Sequence, residues 1–351
     1  MQLLKSIHGL LVTNPTNIRY LTGFVGVAPE EREAYILMTN KTTYLFTNSL
    51  YLEQAKQLTG VTVVQISREN PISMELQKLC DELGITRLGF EDANLTVAEF
   101  TKLKNVLTGI KLVPTQERIE ELRMVKRKDE IESIRYAADL TDQCFKILLK
   151  NIRPGMTERK LAMYIEGFFK SRGAENAFAP IVAFNEHSSQ PHYHELSNTP
   201  LRRGSLILLD FGARVNGYCA DMSRVVFLGK PKKEWAETYT TVLNAQQKAL
   251  DLLSSGERNG ATLDAAAKEI IAEADAPLYS HSLGHGVGLD IHETPRLRDK
   301  KAEILKPDMV FSVEPGVYIE GQYGIRIEDL VRLTHTGTEV LSRSPRTLTV
   351  L

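Results

Sequence analysis

Two aspartates flank a sequence that is typical of a tight β-hairpin. Asp210 directly follows the apolar run at residues 206–209, and Asp221 comes after the dipeptide Asn216-Gly217. Asn-Gly is a strong signal for a two-residue hairpin turn. Because side chains two apart in a strand share a face, this turn places both carboxylates on one face as diagonal neighbours, roughly 7 Å apart. Carboxylates at that separation can bind two metal ions about 3.5–4 Å from each other.

The same turn predicts the register around the two carboxylates. The expected pairs are Val215 with Tyr218, Gly212 with Asp221, and Asp210 with Ser223. Gly212 would then leave room above the carboxylates. The alternative is a pair of solvated aspartates on an exposed face. Since Asp210 follows an apolar run, burial without a positive partner would be costly, but this segment alone leaves both interpretations open.

A second pair of carboxylates occupies two further strand-like segments. Glu314 and Glu328 come onto one face if a hairpin loop lies near residues 320–324. The Pro-Gly at residues 315–316 could add a bulge, which would turn one of the two carboxylates to the opposite face. Arg326 should share the face of Glu328, where it could orient a carboxylate or bind an anionic substrate group. A plain salt bridge to an acidic side chain is the alternative.

The third chemical element is the glycine-rich segment 281–292. His285 and His292 are an odd number of residues apart, so a flat strand would point them to opposite faces. A bulge among the glycines is needed if both are to face one site. Most of the chain's histidines fall within this segment or within residues 187–194, which favours a functional role.

The first part of the scaffold reads as a small α/β domain. Strand-like runs at residues 35–38, 43–46 and 61–64 alternate with helical patterns at residues 51–58 and 72–83. This alternation predicts a partly parallel sheet. A charged stretch follows near residues 117–130, and we place the domain boundary there, with domains at 1–122 and 123–351.

The second domain reads as α+β. One amphipathic helix carries the apolar positions from Ile131 to Leu148, and Thr157 is a suitable N-cap for the next helix. A third helix covers residues 233–253, whereas residues 178–228 and 277–350 are rich in strand signals. Helices covering a mainly antiparallel sheet are therefore expected.

Bulk composition narrows the classes of function. Lys+Arg (43) and Asp+Glu (44) nearly cancel over 351 residues, so the chain lacks the positive field that holds a nucleic-acid backbone or an anionic membrane. Its three cysteines have no CxxC spacing, which disfavours a disulfide framework or a structural zinc site. Neither a leader sequence nor an apolar run of membrane-spanning length is evident. We expect a cytoplasmic protein that binds neither nucleic acid nor membranes.

Taken together, these segments resemble the metallopeptidase family that includes methionine aminopeptidase, prolidase and aminopeptidase P, with the pita-bread fold. The matching motifs are DFG to AD (Asp210, Asp221), GHGVGLDIHE (His285, His292), VEPG (Glu314) and RIED (Arg326, Glu328). Residues 191–193 resemble the segment that supplies a substrate-facing histidine in the proline-specific branch. The resemblance covers nearly the whole chain and implies a pita-bread catalytic domain preceded by a smaller N-terminal α/β domain.

The resemblance implies two divalent metal ions, of Mn²⁺, Co²⁺, Zn²⁺ or Fe²⁺. The residues that would bind them are Asp210, Asp221, His285, Glu314 and Glu328, with Asp221 and Glu328 bridging. Such an oxygen-rich set with one histidine does not select one of these metals. The two ions would lower the pKa of a water that attacks the scissile carbonyl.

By the same resemblance, four residues would act on the substrate: Glu314, His292, His192 and Arg326. Glu314 would carry a proton to the leaving nitrogen. His292 and His192 would stabilise the oxyanion or hold the substrate. Arg326, or Arg296, would receive a substrate carboxylate.

The implied substrate is a proline-containing di- or oligopeptide. A prolidase cleaves Xaa-Pro dipeptides, whereas aminopeptidase P removes the first residue of longer peptides, and the compact length slightly favours the dipeptidase. A non-catalytic binding module and a metal-free, creatinase-like amidinohydrolase are the other candidates, but the intact metal-ligand motifs argue against both. A homodimer is also implied. His187 and His194 are expected on the surface, and His281 receives no role.

Overall fold

The computed structural model describes residues 3–28, 31–298 and 304–351. The chain divides into two compact units, Met1–Arg123 and Met124–Leu351, and each has its own hydrophobic core. Within the described ranges, no helix is both long enough and apolar enough to cross a membrane.

The first unit is built around a mixed six-stranded sheet. In chain order the elements up to residue 124 are β1 (Gly9–Val12), α1 (Pro15–Thr22), β2 (Ala34–Met38), β3 (Thr43–Thr47), α2 (Leu52–Lys56), β4 (Val61–Gln65), α3 (Ile72–Leu83), β5 (Arg87–Phe90), α4 (Val97–Val106), β6 (Lys111–Pro114) and α5 (Arg118–Met124). The strand order is β4-β3-β2-β1-β5-β6. β2 is antiparallel to β1 and β3, and the other pairs are parallel, which confirms the partly parallel sheet.

Local sequence signals explain where helices of this unit begin and end. α3 covers the predicted range and stops at Gly84, whose φ of 66° favours a residue without a side chain. α4 begins with a capping box, in which Thr96 and Glu99 each bond the other's backbone amide through a side chain. α2 is shorter than the predicted 51–58 and covers only Leu52–Lys56.

The second unit packs long helices against antiparallel sheets. Its elements are α6 (Lys128–Asn151), α7 (Glu158–Lys170), β7 (Glu175–Asn176), β8 (Ile181–Phe184), a 3-10 turn (Asn185–Ser189), β9 (Ser205–Asp210), β10 (Ala213–Val215), β11 (Tyr218–Cys219), β12 (Ser223–Leu228), α8 (Lys233–Ser254), α9 (Gly260–Glu273), β13 (Gly284–Gly286), β14 (Glu293–Leu297), β15 (Val310–Val313), β16 (Gly316–Ile319), β17 (Tyr323–Arg326), β18 (Asp329–Leu333), β19 (Thr338–Val340) and β20 (Thr349–Val350). The larger sheets have the orders β20-β12-β9-β8 and β14-β13-β15-β18-β19. Among the described strands of this unit, only β12 and β20 pair in parallel, so the predicted α+β class is confirmed.

Strand β9 shows why this unit has helices on both faces of a sheet. All of its residues are buried, so its alternating side chains face two different cores. Ile207 and Leu209 pack in the cluster that includes α6 and α7, whereas Leu206 and Leu208 pack in the cluster that includes α8 and α9. An apolar strand covered on both faces therefore carries Asp210 into the interior.

The helices of the second unit follow the sequence signals except in one place. Thr157 caps α7, as predicted, because its side chain accepts a hydrogen bond from the amide of Lys160. Helix α9 was not predicted. It is rich in alanine, and Leu263 and Ile271 are its large buried apolar residues, so the apolar period is weak in the sequence.

Candidate metal centre

The predicted hairpin between the two aspartates is present with the expected register. The pairs include Val215 with Tyr218 and Asp210 with Ser223. Both residues of the turn, Asn216 and Gly217, have positive φ, at 53° and 86°. A type I′ turn needs this conformation at both central positions, and it explains why Asn-Gly sets the register.

Gly212 does not leave room above the carboxylates, contrary to the expectation from the sequence. A Cβ atom at this position would lie 1.8 Å from the carbonyl oxygen of Ala220. The glycine is needed because two backbones approach closely beside Asp221.

Glu314 and Glu328 lie opposite each other between two ladders that keep one register. The flanking pairs are Val313 with Asp329 and Gly316 with Arg326. Counting inward from either pair puts Glu314 across from Glu328. In the described segment 310–333, residues 315–316 therefore add no bulge. Glu314 and Glu328 share one face, as the sequence predicted.

His285 and His292 come together because the chain turns back between them, and β13 and β14 form an antiparallel pair. The single strand assumed from their spacing is not formed. The pairing of β13 with β14 shifts between His285 and Gly286, and the centroids of the two imidazole rings lie 4.4 Å apart. Gly284 allows a neighbouring strand to pass closely, since a Cβ atom there would lie 1.9 Å from the carbonyl oxygen of Ser312.

The orientation of His285 determines which ring nitrogen faces the acidic residues. Nδ1 lies 3.1 Å from the carbonyl oxygen of Gly286, which can only accept a hydrogen bond, so Nδ1 carries a proton. Nε2 points to the carboxylates, 3.2 Å from Glu314 Oε1 and 3.7 Å from Asp221 Oδ2. Metal-binding histidines usually have this arrangement, with one nitrogen fixed by a carbonyl.

Several buried carboxylate oxygens in this cluster lack a partner. Ligand atoms of Asp221, His285 and Glu328 all lie within 4.8 Å of one another. Within the described part of the chain, one oxygen each of Asp210, Asp221 and Glu328 is buried without a hydrogen bond. Such oxygens are unfavourable unless an ion or water satisfies them. Four carboxylates and one imidazole therefore fit divalent cations such as Mn²⁺, Co²⁺, Zn²⁺ or Fe²⁺.

Burial and mutual repulsion move the pKa values of these groups. Burial, followed by the charge of a neighbouring carboxylate, raises the pKa of Asp221 and of Glu328 well above their ordinary values. Burial also acts to raise the pKa of Glu314, but the hydrogen bond from His285 outweighs it and the pKa falls to about 2. Against burial, the same bond raises the pKa of His285 to about 9. The cluster thus contains two ion pairs, His285 with Glu314 and Arg326 with Asp210. Divalent cations would stabilise the negative charge of the two remaining carboxylates, Asp221 and Glu328.

Arg326 links the carboxylates of both hairpins. Its Nη2 donates to Asp210 Oδ2 at 2.5 Å, its Nε donates to Ser223 Oγ at 2.8 Å, and its Nη1 donates to the Tyr318 hydroxyl at 2.8 Å. Ser223 Oγ in turn donates to Glu328 Oε2 at 2.7 Å. The salt bridge that the sequence left open is therefore the one observed. Each of the three nitrogens of Arg326 bonds a protein group, and its expected role in receiving a substrate carboxylate stays a prediction.

All five predicted metal ligands line one cavity of about 830 Å³. The cavity also has basic groups along its wall: His192, His281, His292, Lys268, Arg296 and Arg298. Phe178, Ile181, Leu196 and Ile291 supply apolar surface. Its size and mixed lining are those of a pocket for a small molecule.

His187 differs from what the sequence suggested, and His281 has a place that the sequence did not assign. His187 is half-buried rather than at the surface, with Nδ1 2.8 Å from Glu158 Oε1. His281 lines the cavity, and its Nε2 lies 3.1 Å from the Tyr318 hydroxyl. A signal for His281 was present in the sequence, because an even spacing from His285 would put both on one face of an extended strand, although β13 begins only at Gly284. His194 is exposed, as expected, and it also lines the cavity.

The chain is similar to known proteins along its whole length. Residues 132–335 match Metallopeptidase family M24, and residues 4–125 match the Creatinase/Prolidase N-terminal domain. The Xaa-Pro dipeptidase of Pyrococcus furiosus is 34% identical over 353 residues, 98% of this chain and 96% of that protein. A solved Xaa-Pro dipeptidase from Bacillus anthracis matches with a TM-score of 0.92 and 35% identity, covering 100% and 98% of the two chains. An X-Pro aminopeptidase from Thermotoga maritima matches with a TM-score of 0.89 and 34% identity over 98% of both.

Proposed function

Because the chain belongs to metallopeptidase family M24, we propose that it hydrolyses the Xaa-Pro peptide bond of dipeptides. One observation carries this proposal. Five side chains of metal-binding type converge in one cavity, and three of their carboxylates each have a buried oxygen without a hydrogen-bond partner in the described residues. Xaa-Pro dipeptidases at 34–35% identity over nearly the whole chain support the choice of substrate.

The residues that would hold two divalent metal ions are Asp210, Asp221, His285, Glu314 and Glu328. When bound, such ions supply Lewis acidity that polarises a carbonyl and makes water a stronger nucleophile near neutral pH. Ser223 and Ser312 keep two of the ligands in place, because their hydroxyls donate to Glu328 at 2.7 Å and to Glu314 at 3.1 Å.

Glu314 is the proposed proton carrier. Its carboxylate lies in the cavity with the other metal-ligand side chains, where it can accept a proton from the attacking water. The proline nitrogen needs a proton when the peptide bond breaks, and the same carboxyl group can deliver it.

The two histidines at the cavity wall are proposed to act on the substrate. His292 lies against the ring of His285, and His192 lies in the segment that follows the 3-10 turn. An imidazole N–H at either position can donate to the oxyanion that forms on the scissile carbonyl, or it can hold the substrate.

The charge of the cavity wall supports the proposed preference for dipeptides. Arg296, Arg298 and Lys268 line it together with the metal-ligand cluster. In an Xaa-Pro dipeptide the C-terminal carboxylate is adjacent to the scissile bond, so a guanidinium near the cluster can bind it. A longer peptide has a neutral amide there instead. The second candidate is an Xaa-Pro aminopeptidase, which the 34% identity to the Thermotoga maritima enzyme favours.

The experiment compares Ala-Pro with Ala-Pro-Ala as substrates of metal-stripped protein reloaded with Mn²⁺, Co²⁺ or Zn²⁺. We expect free proline from the dipeptide and little release of alanine from the tripeptide. Preferential cleavage of the tripeptide would establish the aminopeptidase instead. Binding of metal without cleavage of either peptide would refute the Xaa-Pro specificity.

We also propose a homodimer, as in the resemblance drawn from the sequence. Light scattering of the eluted protein tests this directly, since a chain of 39.4 kDa should then elute at about twice that mass.

A further inference from the structure

Glu158 is a fully buried carboxylate outside the metal-ligand cluster. It is the first residue of helix α7, directly after the cap Thr157, and its side chain has no exposed surface. A negative charge in the first turn of a helix is favourable. A buried carboxylate still needs hydrogen-bond donors, and those donors show what this one does.

Four donors satisfy the two oxygens of Glu158. The bonds to Oε1 come from the Phe184 amide (2.7 Å) and His187 Nδ1 (2.8 Å), and those to Oε2 come from the Tyr193 hydroxyl (2.9 Å) and the Ser197 amide (2.6 Å). The ring of His187 also stacks on Tyr193, with centroids 4.7 Å apart. Burial and the bond to Glu158 raise the pKa of Tyr193 to about 12, so its hydroxyl remains a donor.

All four donors belong to residues 184–197, which form the segment that contains His192. In the described stretch 190–204 no helix or strand forms, so backbone ladders do not hold this part of the chain. Other contacts also hold this segment, since the Leu206 amide donates to Asn185 Oδ1 at 2.9 Å and Tyr193 packs in the cluster that includes α8 and α9. Arg326 Nη1 donates to the Pro191 carbonyl at 3.3 Å, and the Gly324 amide donates to Ser188 Oγ at 2.8 Å.

We propose that Glu158 is a positioning residue that fixes the 184–197 segment and thereby holds His192 at the cavity. Glu158 is not among the described residues that line the cavity, so its effect on the reaction must pass through this segment. The inference rests on the proposed function, because His192 matters only if a peptide is bound there. His187, which the cavity does not use, belongs to the same anchor.

Glu158→Gln tests the anchor with little change in shape. One oxygen becomes an NH₂ group that faces donors, so part of the four-bond anchor is lost. Hydrogen exchange read by mass spectrometry should become at least about tenfold faster in residues 185–197, while residues 281–292 and 310–333 keep their wild-type rates. Glu158→Asp should restore part of the protection, and His187→Ala, which removes one bond of four, is a milder variant if Glu158→Gln folds poorly.

Kinetics tests whether the anchor acts through His192. We expect Glu158→Gln to lower kcat/KM for Ala-Pro by about tenfold or more, while its affinity for Mn²⁺, titrated alone, changes less than twofold. His192→Ala should show the same division of the loss between kcat and KM. The double variant should be no slower than His192→Ala, because removing the anchor of an absent side chain changes little.

Asp142→Asn is the matched control. Asp142 also anchors a loop through several bonds, accepting from the amides of Arg343 (2.7 Å) and Ser344 (2.8 Å). Its loss should loosen residues 343–344 and leave the exchange of residues 185–197 unchanged. If Asp142→Asn loosens both segments equally, Glu158 has no specific role in positioning His192.

Unchanged exchange of residues 185–197 in Glu158→Gln would overturn the proposal. The proposal would also be overturned if the double variant lost kcat/KM by the product of the two single losses, because Glu158 would then act independently of His192. Failure of the proposed function has a different signature, a wild-type protein that cleaves no Xaa-Pro peptide. In that case the exchange measurement still decides whether Glu158 holds the segment.

Discussion

Glu91 in the first unit and Asp221 in the second are both buried acidic residues, but their surroundings differ. Glu91 Oε2 accepts hydrogen bonds from the amides of Thr13 (2.6 Å) and Asn14 (2.7 Å), and Oε1 accepts one from Asn17 Nδ2 (2.6 Å). Asp221 Oδ1 has no such donor in the described residues, and after burial the charges of Glu328, Asp210 and Glu314 are what raise the pKa of Asp221. One site is saturated by the protein, whereas the other still needs positive charge.

The difference teaches that burial of a carboxylate does not by itself indicate a functional site. What separates the two cases is whether backbone amides and side-chain donors use every oxygen. Glu158 makes the same point within the second unit, since it is as buried as Asp221 but has four donors. Saturated carboxylates hold segments together, and unsaturated ones mark the place for cations.

The largest expected effect is at an unsaturated carboxylate. Glu328→Gln keeps the shape of the side chain and removes a charge that divalent cations need. We expect Mn²⁺ binding to be lost in calorimetric titration and kcat for Ala-Pro to fall by roughly 10³-fold or more, since metal chemistry contributes several kcal/mol and about 1.4 kcal/mol is tenfold.

The same variant should not destabilise the metal-free protein, because it removes repulsion among buried carboxylates. Urea unfolding of metal-free wild type and variant measures this. Wild-type Mn²⁺ affinity in Glu328→Gln, or a large loss of metal-free stability, would mean that Glu328 is a structural carboxylate like Glu91.

A smaller effect is expected at Glu91, the saturated carboxylate, and it should change stability rather than metal binding or catalysis. Glu91→Gln leaves a buried donor facing an NH₂ group, which should lower the free energy of unfolding by about 1–3 kcal/mol. Mn²⁺ affinity and kcat should stay at wild-type values. Glu53→Gln, at an exposed position of helix α2, is the control and should change stability by less than about 0.5 kcal/mol.

Local patterns predicted the geometry of the candidate site well. Asn216-Gly217 determined a hairpin register, and the alternation of strand side chains placed Glu314 and Glu328 on one face. Both predictions depend only on neighbouring residues and on the strand period of two. The odd spacing of His285 and His292 was less informative, because a turn between β13 and β14 separates the two residues.

Features that depend on distant parts of the chain were not predictable. The bonds from Glu158 to His187 and Ser197 cross 29 and 39 residues, and no local pattern connects these positions. Gly212 was misinterpreted because only the fold shows which backbone passes beside it. Helix α9 was missed because alanine gives little apolar contrast, although its packing in the core is clear in the structure.

The smallest effect concerns the pH dependence of Glu91. Burial raises its pKa above the ordinary 4.5, and the bonds from Asn17 and Thr13 oppose this without cancelling it. A carboxyl with a raised pKa in the folded state contributes most stability below its ordinary pKa and loses it as the pH rises. Glu91→Gln should therefore lower the free energy of unfolding by more at pH 4 than at pH 7. The difference between the two pH values should be at most about 1.4 kcal/mol per unit of pKa shift.

Urea unfolding of metal-free wild type and Glu91→Gln at pH 4, 5.5 and 7 measures this difference, and the carboxylates of the metal centre cancel because both proteins contain them. If the stability lost in Glu91→Gln grows with pH, the hydrogen bonds have a larger effect on the pKa of Glu91 than burial has, and Glu91 is an anion in the folded protein. The hydrogen bonds to Glu91 would then lower its pKa despite burial. The contrast with Asp221 would be stronger still, because burial and neighbouring carboxylates both raise the pKa of Asp221.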